Sequence, residues 1–406
     1  MNVLVVGSGG REHALAWKIK QSPELGELHA APGNPGIARL GRCHPVRADD
    51  AEALLDLCRE AEIDLVVVGP EAPLVAGVAD ALRHAGVAVF GPGAGAARIE
   101  GSKGFAKDVM RAAGVPTAAE LDEPRAPCVI KADGLAAGKG VFVCRSQDEA
   151  DAAWPRVQAL GERVVIEELL EGEEVSLFAL CDGSEALPFP PAQDFKRLRD
   201  GDEGPNTGGM GSYSPVPMLS SEDVEELVGA VHRPVLHELA KRGVPFQGLL
   251  YAGLMLTDEG PRVLEFNCRF GDPETQAVLP QLEGDLLPAL AAAAAGSLHE
   301  AELADSPDAA VTVVLSSAGY PETPTSGVEI GGLEEAEAAG ALVFHAGTAR
   351  RGDALVSAGG RVLNVTGTGS SVADARERAY RAVELIDFPD AHYRRDVALK
   401  AARVAS

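Results

Sequence analysis

The sequence predicts a multi-domain α/β protein, and three observations support this prediction. At 406 residues the chain exceeds the size that one hydrophobic core usually reaches, so two to four domains are expected. The first hundred residues alternate strand-like and helix-like segments, which is typical of a parallel sheet. Later strand-rich segments favour antiparallel pairing and a separate C-terminal unit that begins near Val311.

In the N-terminal part, turns and helices follow the predicted strands. The predicted strands are Asn2–Val6, Asp64–Val68 and Val87–Phe90, and the predicted helices are Arg11–Gln21, Ala51–Ala61 and Leu74–Ala85. Ligands of α/β sheets gather where parallel strands end. The turn of Gly69, Pro70 and Glu71 after the second strand is therefore a candidate substrate contact.

The middle of the chain predicts a small antiparallel insertion behind an acidic, proline-bearing hinge at 122–127. Its expected strands are Cys128–Ala132, Val141–Cys144, Val164–Glu168 and Val175–Leu180. The glycine-rich segment 201–213 predicts a long loop. The remaining predictions are a helix at Glu222–Arg242, a strand pair at Leu249–Leu256 and Arg262–Asn267, a helix end at Ala289–Ala295, strands at Val343–Thr348 and Arg361–Val365, and a helix at Val372–Ile386.

Composition excludes several classes of partner. The chain carries 36 basic and 61 acidic residues, a net charge of −25, which argues against nucleic acid and anionic membranes. No apolar run approaches membrane-spanning length. The cysteines have no paired spacing, so neither a zinc site nor disulfides are indicated and a cytoplasmic location is expected; they are Cys43, Cys58, Cys128, Cys144, Cys181 and Cys268.

The strand ending at Asn267 carries the most informative pattern. Strand side chains alternate faces, so Glu265, Asn267 and Arg269 are predicted to share one face while Leu264, Phe266 and Cys268 take the other. Hard oxygen ligands suit Mg²⁺, and a guanidinium suits a phosphoryl oxygen that develops charge. A half-exposed strand with a polar outer face is the alternative explanation.

A second pattern runs from Lys131 through Gly134, Gly138 and Lys139 to Gly140. Three residues separate Gly134 from Gly138, and no hydroxyl residue follows Lys139, so the segment is not a P-loop. Glycines allow close backbone approach to phosphate and lysine supplies charge. We therefore predict a strand–loop–strand flap over a triphosphate, with Lys131 on the floor; a flexible hairpin with solvated lysines is the alternative.

Three weaker segments complete the candidate site. The acidic turn after the strand at Val164 predicts backbone contacts to a base and a carboxylate near ribose, although a plain surface turn gives the same pattern. Asp194 and Lys196 are predicted to share a strand face, offering groups for an amine and an anion. The backbone N–H groups of Asn206, Thr207, Gly208 and Gly209 form a possible anion-binding nest, or a plain connector.

The turn at Gly9, Gly10, Arg11 and Glu12 is similar to a dinucleotide fingerprint, but Glu12 stands where a third glycine belongs. What remains is a helix N-terminus whose N–H groups are aimed at a phosphate, reinforced by Arg11. His13 is expected to be a packed helix residue.

With these residues assembled, the chain resembles the phosphoribosylamine–glycine ligase family of ATP-grasp enzymes over nearly its whole length. The resemblance rests on Gly7–Ala14, Val68–Leu74, Glu100–Lys103, Lys131–Gly140, Gly204–Gly211, Leu250–Gly253, Glu265–Gln276, Phe344–Thr348 and Gly359–Leu363. It implies an N-terminal parallel α/β domain (1–100), a central ATP-grasp module (101–310, lid subdomain about 122–186) and a small α+β C-terminal domain (311–406). It also implies that ATP, glycine and 5-phosphoribosylamine form glycinamide ribonucleotide through glycyl phosphate.

The resemblance further implies individual roles. Lys103 and Lys131 would contact ATP phosphates beneath the flap. The adenine hinge would comprise Glu167, Glu168 and Leu170, with Glu174 near ribose. Glu265 and Asn267 would hold Mg²⁺ or Mn²⁺, and Arg269 would stabilise the transition state, with Asp194 and Lys196 as further catalytic candidates and a monomer as the expected state.

One departure and three alternatives accompany this interpretation. The family usually has His where this chain has Phe195. A related ATP-grasp ligase or carboxylase acting on another acid is the nearest alternative. An NAD-binding oxidoreductase is disfavoured by Glu12, and a non-catalytic nucleotide sensor by the intact face of Glu265, Asn267 and Arg269.

Overall fold

The structure, a computed structural model, describes residues 1–134, 140–161, 163–301 and 303–404. The predicted flap residues Gly138 and Lys139 lie outside these ranges. No helix within the described ranges is both long and apolar enough to cross a membrane.

The N-terminal part contains the predicted parallel sheet. In residues 1–113 five strands pair in the order β3-β2-β1-β4-β5, all parallel. The side chains of β1 and β4 are all buried, as expected for apolar strands covered on both faces. The elements are β1 (Val3–Gly7), α1 (Gly10–Ile19), β2 (Leu28–Pro32), β3 (Arg42–Cys43), α2 (Ala51–Glu60), β4 (Leu65–Val68), α3 (Glu71–Val75), α4 (Val78–His84), β5 (Ala88–Phe90), α5 (Ala94–Gly101) and α6 (Lys103–Ala113).

Two details of this part differ from the sequence prediction. The helix expected over Leu74–Ala85 is two helices, because Gly77 adopts a left-handed conformation (φ 88°) between α3 and α4. Strands β2 and β3 were not predicted. The first contains His29 and ends in Pro32, and the second has two residues, so neither shows a clear apolar run.

The predicted insertion is a three-stranded antiparallel sheet within residues 128–168, ordered β7-β6-β8. Helix α7 packs its apolar residues against this sheet. The prediction of a fourth strand here is wrong, because the segment around Val175 pairs with the large sheet instead. The elements are β6 (Cys128–Ala132), β7 (Val141–Cys144), α7 (Gln147–Gln158) and β8 (Val164–Glu168).

A large sheet joins the middle and the C-terminal parts of the chain. Across the described residues eight strands pair in the order β15-β14-β9-β10-β13-β18-β22-β19. The predicted loop over 201–213 instead contains β12 (Glu203–Asn206), which pairs with the preceding β11 (Arg197–Arg199), and most of β13 (Gly211–Ser214). The middle elements are β9 (Glu173–Asp182), β10 (Ala186–Asp194), β11 (Arg197–Arg199), β12 (Glu203–Asn206), β13 (Gly211–Ser214), α8 (Ser221–Lys241), β14 (Gln247–Thr257), β15 (Gly260–Asn267), α9 (Glu274–Val278), β16 (Leu282–Glu283), α10 (Leu286–Ala295) and β17 (Ala304–Asp305).

The C-terminal part extends this sheet and packs α12 across it. The expected strands near Val311, Val343 and Arg361 are confirmed, as is the helix that begins at Val372, which ends at Val383 rather than Ile386. The last helix, Leu399–Val404, was not predicted. The elements are β18 (Ala309–Ser316), α11 (Leu333–Ala338), β19 (Leu342–His345), β20 (Thr348–Arg351), β21 (Ala354–Ser357), β22 (Arg361–Gly369), α12 (Val372–Val383) and α13 (Leu399–Val404).

Candidate active site

One face of the large sheet carries polar side chains across neighbouring strands. Tyr251 pairs with Asn267, and Gly253 pairs with both Glu265 and Ser176. Directly paired residues share a face, as do residues two apart in one strand. Glu265 and Asn267 therefore lie on the same face as Tyr251 and Ser176.

The apolar side of β15 differs in one position from the prediction. A bulge interrupts the β14–β15 register near Leu264 and changes the alternation before Glu265. As a result Val263, rather than Leu264, joins Phe266 and Cys268 in the hydrophobic core. The polar alternation from Glu265 onward is unaffected.

Arg269 lies beside Asn267, as the alternation predicts. Its Nη2 atom is 3.2 Å from Asn267 Oδ1 and 3.0 Å from Glu100 Oε1, and its Nε is 3.3 Å from Glu71 Oε2. Burial opposes the guanidinium charge, but Glu100 and Glu71 outweigh burial and raise the pKa of Arg269. Glu71, predicted as a substrate contact, is thus a partner of Arg269.

Sequence reasoning did not select Glu100, which supports the end of β15. This buried carboxylate also accepts the backbone N–H of Cys268 at 2.8 Å. Burial raises its pKa, against the lowering effect of Arg269. The sequence signal for Glu100 is the motif Glu100–Lys103, in which the resemblance implies a role only for Lys103.

Lys131 is held in a buried ion-pair chain. The Glu167 carboxylate contacts Lys131 Nζ at 2.6 Å and Lys107 Nζ at 2.6 Å. Lys131 also donates to Leu264 O at 3.0 Å, and burial lowers the pKa of Lys107. The carboxylate of Glu167, expected at an adenine hinge, therefore bridges two lysines, and Lys107 is a member that the sequence did not reveal.

The flap side of the site is organised around Asp133. Lys103 begins α6, its backbone N–H donates to Asp133 Oδ1 at 2.6 Å, and its Nζ donates to Gly134 O at 3.2 Å. Burial lowers the pKa of Lys103. Across the flap, Gly140 O accepts the N–H of Ala132 at 2.8 Å. The described base of the flap thus lies next to Lys103.

The hinge after β8 is tied to the segment that precedes the lid. Glu168 Oε1 accepts the N–H of Ala119 at 2.8 Å, and Glu168 donates its own N–H to Ala119 O. Leu170 is half-buried just beyond. The hinge position of these residues agrees with the predicted location of the adenine contacts, which stay a prediction.

Lys196 joins two acidic residues of the sheet. It contacts Glu174 and lies 3.2 Å from Asp194 Oδ1. Burial opposes its charge, but Asp194 and Glu174 outweigh burial and raise the pKa of Lys196 well above its ordinary value. Burial raises the pKa of Asp194 to about 6. Asp194 and Lys196 lie side by side, although Lys196 follows the end of β10, and they pair with each other; their predicted contacts to an amine and an anion stay a prediction. Glu174, expected near ribose, contacts Lys196.

The glycine-rich loop does not present the predicted nest of free N–H groups. Thr207 donates its N–H to Lys196 O, Gly208 to the Tyr320 hydroxyl, and Gly209 to Thr207 Oγ1. Asn206 ends β12, paired with Arg197. These donors are satisfied within the protein because the loop folds back on the end of β10.

In the N-terminal glycine turn, the donor groups of Gly9 and Arg11 are also hydrogen-bonded within the protein. Gly9 donates its N–H to Glu12 Oε2 at 2.5 Å, and Arg11 is buried, with Nε 2.5 Å from Glu12 Oε1 and Nη1 donating to Phe270 O at 3.0 Å. The Glu12 side chain fills the space beside Gly69, where an added Cβ would lie 2.1 Å from its Oε1. Glu12, and not an external anion, occupies these donors, which corrects the predicted phosphate geometry and disfavours the dinucleotide alternative. Pro70 is half-buried before α3.

Gly10 lies at a contact between the N-terminal and C-terminal parts. A Cβ at this position would lie 2.2 Å from Asn364 Nδ2 and 2.7 Å from Gln276 Nε2, both in buried residues. We expect Gly10→Ala to lower the free energy of unfolding by about 1–3 kcal/mol through overpacking. Urea unfolding checks this, with the helical Gly229→Ala in α8 as the control, expected to raise stability by up to about 1 kcal/mol.

Phe195 faces away from the polar face of the sheet. Its ring packs against the C-terminal core, 6.3 Å from the Tyr213 ring centroid, and the buried Arg394 guanidinium lies 4.8 Å from its centroid. His13 is likewise a packing residue: it accepts the N–H of His345 at 2.8 Å, and burial lowers its pKa to about 3.

We therefore expect Phe195→His to leave kcat within about twofold, because the side chain acts by packing and cation–π contact rather than on substrate. Steady-state ADP release measures this. A loss of turnover without a loss of thermal stability would contradict the assignment.

The lid, the buried lysines and the polar sheet face together define an ATP-grasp protein, a class that uses ATP with a divalent metal ion. Family models for the phosphoribosylglycinamide synthetase N domain, ATP-grasp (A) domain and C domain match residues 1–100, 101–275 and 310–400. The chain belongs to the phosphoribosylglycinamide synthetase family and is an ATP-dependent ligase.

Individual relatives agree with this membership. Phosphoribosylamine–glycine ligases of Streptomyces coelicolor and Mesorhizobium japonicum are 54% and 51% identical, each over 99% of this chain and over 100% and 98% of their own lengths. The crystal structure of the Thermotoga maritima ligase is 36% identical, with a TM-score of 0.85 over 98% of this chain and 100% of that one. A biotin carboxylase domain of Hydrogenobacter thermophilus 2-oxoglutarate carboxylase, at 17% identity and TM-score 0.70 over 97% and 91%, shows the shared fold alone.

Proposed function

We propose that the chain joins glycine to 5-phosphoribosylamine in purine biosynthesis, forming glycinamide ribonucleotide, ADP and phosphate. Family membership over the full length supports the reaction, and one structural observation carries the site: Glu265, Asn267 and Arg269 share a sheet face, with Lys103 and Lys131 nearby. The nearest alternative is an ATP-grasp ligase or carboxylase acting on another acid.

The proposed chemistry proceeds through glycyl phosphate. A carboxylate oxygen of glycine attacks the γ-phosphorus of ATP, the new O–P bond forms, and ADP leaves. The amine nitrogen of phosphoribosylamine then attacks the carbonyl carbon, phosphate leaves, and the nitrogen loses a proton. Activation is required because an oxide is a poor leaving group from a carboxylate, and the protein acts mainly by positioning and charge stabilisation.

The residues divide this work. Lys103 and Lys131 hold the ATP phosphates, with Glu167 fixing Lys131, while backbone groups of Glu168 and Leu170 contact adenine and Glu174 lies toward ribose. Arg269 stabilises charge on the transferred phosphoryl group. We propose that phosphoribosylamine contacts the turns at Gly9–Glu12 and Gly69–Glu71 and the loop Asn206–Gly209. The contacts would use atoms other than the N–H groups of Gly9, Gly208 and Gly209, which are bonded within the protein.

The donor set of β15 fits a divalent cation. Within the described residues the half-buried Glu265 carboxylate has no hydrogen-bond partner, and Asn267 presents its Oδ1 on the same face. Such oxygen donors suit Mg²⁺ or Mn²⁺, which would neutralise phosphate charge. We propose Glu265 and Asn267 as its protein ligands.

We also propose the division into 1–100, 101–310 and 311–406, a cytoplasmic location and a monomeric state. The described cysteines are all free thiols, which supports a reducing compartment. Large apolar side chains that are exposed in the described residues are few and scattered, which supports a monomer: Leu160, Met218 and Leu385. Light scattering after size exclusion tests the oligomeric state.

The test of the function is ADP release from ATP with glycine, with and without phosphoribosylamine formed in situ from ribose 5-phosphate and ammonia. We expect ADP only when both substrates and Mg²⁺ or Mn²⁺ are present, and none after chelation. ATP binding without turnover on both substrates would retain the fold and overturn the substrates.

A further inference from the structure

A buried carboxylate oxygen beside the site has no partner in the described part of the chain. Glu274, at the start of α9, is 4% exposed; its Oε1 accepts from the Tyr251 hydroxyl at 2.8 Å, while its Oε2 is buried and unpaired. The Tyr251 hydroxyl also contacts Ser176 Oγ at 2.8 Å. A buried acceptor without a partner is costly, so such an oxygen indicates a missing donor.

Asp194 presents a second acceptor to the same region. Its Oδ1 faces Lys196, while its other oxygen has no hydrogen-bond partner among the described residues. The Asp194 side chain is 7% exposed. Burial has the largest effect and raises the pKa of Asp194, while Lys196 lowers it. The Glu274 carboxylate also raises this pKa, because it repels the charged form of Asp194. Both carboxylates point to a bound cation.

The charges around this region leave an excess of negative charge. Lys196 contacts Asp194 and Glu174, whereas Glu274 has no ion pair among the described residues and only a longer-range interaction with Arg269. A buried carboxylate without an ion-pair partner, as Glu274 is among the described residues, favours a positively charged ligand. Glu265, which also interacts with Asp194 and Lys196, lies at the edge of the region toward the proposed metal.

The sheet surface beside these carboxylates carries a residue without a side chain. Gly253 lies between Glu265 and Ser176 across the strands, and the nearest atom to an added Cβ would be Glu265 Cγ at 3.5 Å. A glycine at this point leaves the sheet surface free of a side chain. The space suits a small ligand that spans from the carboxylates toward Arg269.

We propose that Asp194 and Glu274 bind the α-ammonium group of glycine, with the glycine carboxylate directed toward Arg269 and the ATP γ-phosphate. This assignment rests on the proposed ligase function and names the residues that select an amino acid over other small acids. An ammonium donates to both free oxygens and neutralises their charge, whereas a hydroxyl in its place leaves one carboxylate uncompensated. Glycolate, which has that hydroxyl, is therefore the discriminating probe.

The experiment compares glycine and glycolate in ADP release by the wild type, Asp194→Asn and Glu274→Gln, with the ATP dissociation constant measured separately. For each variant we expect the glycine KM to rise at least about 100-fold, the ATP dissociation constant to stay within about threefold, and the preference for glycine over glycolate to fall at least about tenfold. The matched control is Asp182→Asn. Asp182 is a buried carboxylate at the end of β9 that accepts hydrogen bonds from Ser184 and Leu298, away from the site. This control is expected to change neither the KM for glycine nor the KM for glycolate.

Several outcomes would overturn the proposal. These are an unchanged glycine KM in both variants, an unchanged preference over glycolate, or an equal effect of Asp182→Asn. If Glu274→Gln fails to fold, as judged by thermal unfolding, Asp194→Asn decides alone. Absence of glycine-dependent ADP release by the wild type would instead contradict the ligase function itself, so the two failures are distinguishable.

Discussion

Replacing Arg269 by alanine is expected to lower kcat by at least about 1000-fold while the ATP dissociation constant stays within about threefold. The guanidinium lies beside Asn267, on the sheet face that also carries Glu265, and we propose that charge develops there during phosphoryl transfer. We propose that ATP itself is held mainly by Lys103 and Lys131. Steady-state ADP release and equilibrium ATP binding measure the two effects.

The Arg269 variant needs structural controls, because the side chain also pairs with two carboxylates. Arg269→Ala leaves Glu71 and the buried Glu100 without their shared cation. Arg269→Lys keeps a charge but loses the planar fork, so it should remain folded and still lose most turnover. Arg262→Ala, in β15 ahead of Arg269 and paired with exposed Glu259, should be fully active. Loss of ATP binding in a folded Arg269 variant would contradict the assigned role.

Lys131→Ala is expected to weaken ATP binding at least about tenfold, which corresponds to about 1.4 kcal/mol. Its Nζ is fixed by the Glu167 carboxylate at 2.6 Å and by Leu264 O at 3.0 Å. The loss should exceed that of a solvent-exposed phosphate contact, because the lysine is buried and its position is fixed before ATP binds. Calorimetric titration with ATP and Mg²⁺ measures the dissociation constant.

Two further variants serve as comparisons for Lys131→Ala: one removes a buried lysine elsewhere, and the other changes the carboxylate that holds Lys131. Lys18→Ala removes another buried lysine, in α1, whose Nζ donates to Leu282 O away from the lid, and should not change ATP affinity. Glu167→Gln keeps the shape of the ion-pair chain but releases Lys131, so a smaller loss of affinity is expected. Unchanged ATP affinity in Lys131→Ala would remove Lys131 from the site.

The alternation of strand side chains carried much of the site prediction. The period of two placed Glu265, Asn267 and Arg269 together, and the contact of Arg269 with Asn267 confirms the local arrangement. The period failed at Leu264, where a bulge determined by the partner strand changes the face. It also assigned Val175 to the wrong sheet, because a strand pattern does not specify its pairing partner.

The glycine-rich patterns resemble phosphate-binding loops, but they did not predict whether their backbone N–H groups are free to bind an anion. A free N–H group and one already bonded within the protein look identical in sequence. In the structure Glu12 bonds the Gly9 N–H, and Thr207 and Tyr320 engage the loop after β12. The sequence supplied the permissive backbone at these turns, and the surrounding side chains decided what the backbone donors contact.

The sequence by itself determined the α/β architecture, the polar face of β15 and the family, since these depend on local periodicity and on contiguous motifs. The tertiary structure alone decided the partners of the buried charges: Glu100 with Arg269, and Glu167 between Lys107 and Lys131. It also left Glu274 Oε2 without a partner among the residues that the structure describes. The physical reason is that a buried charge is stabilised by whichever groups the fold brings within a few ångströms, and Arg269 meets a carboxylate 169 positions away in the chain.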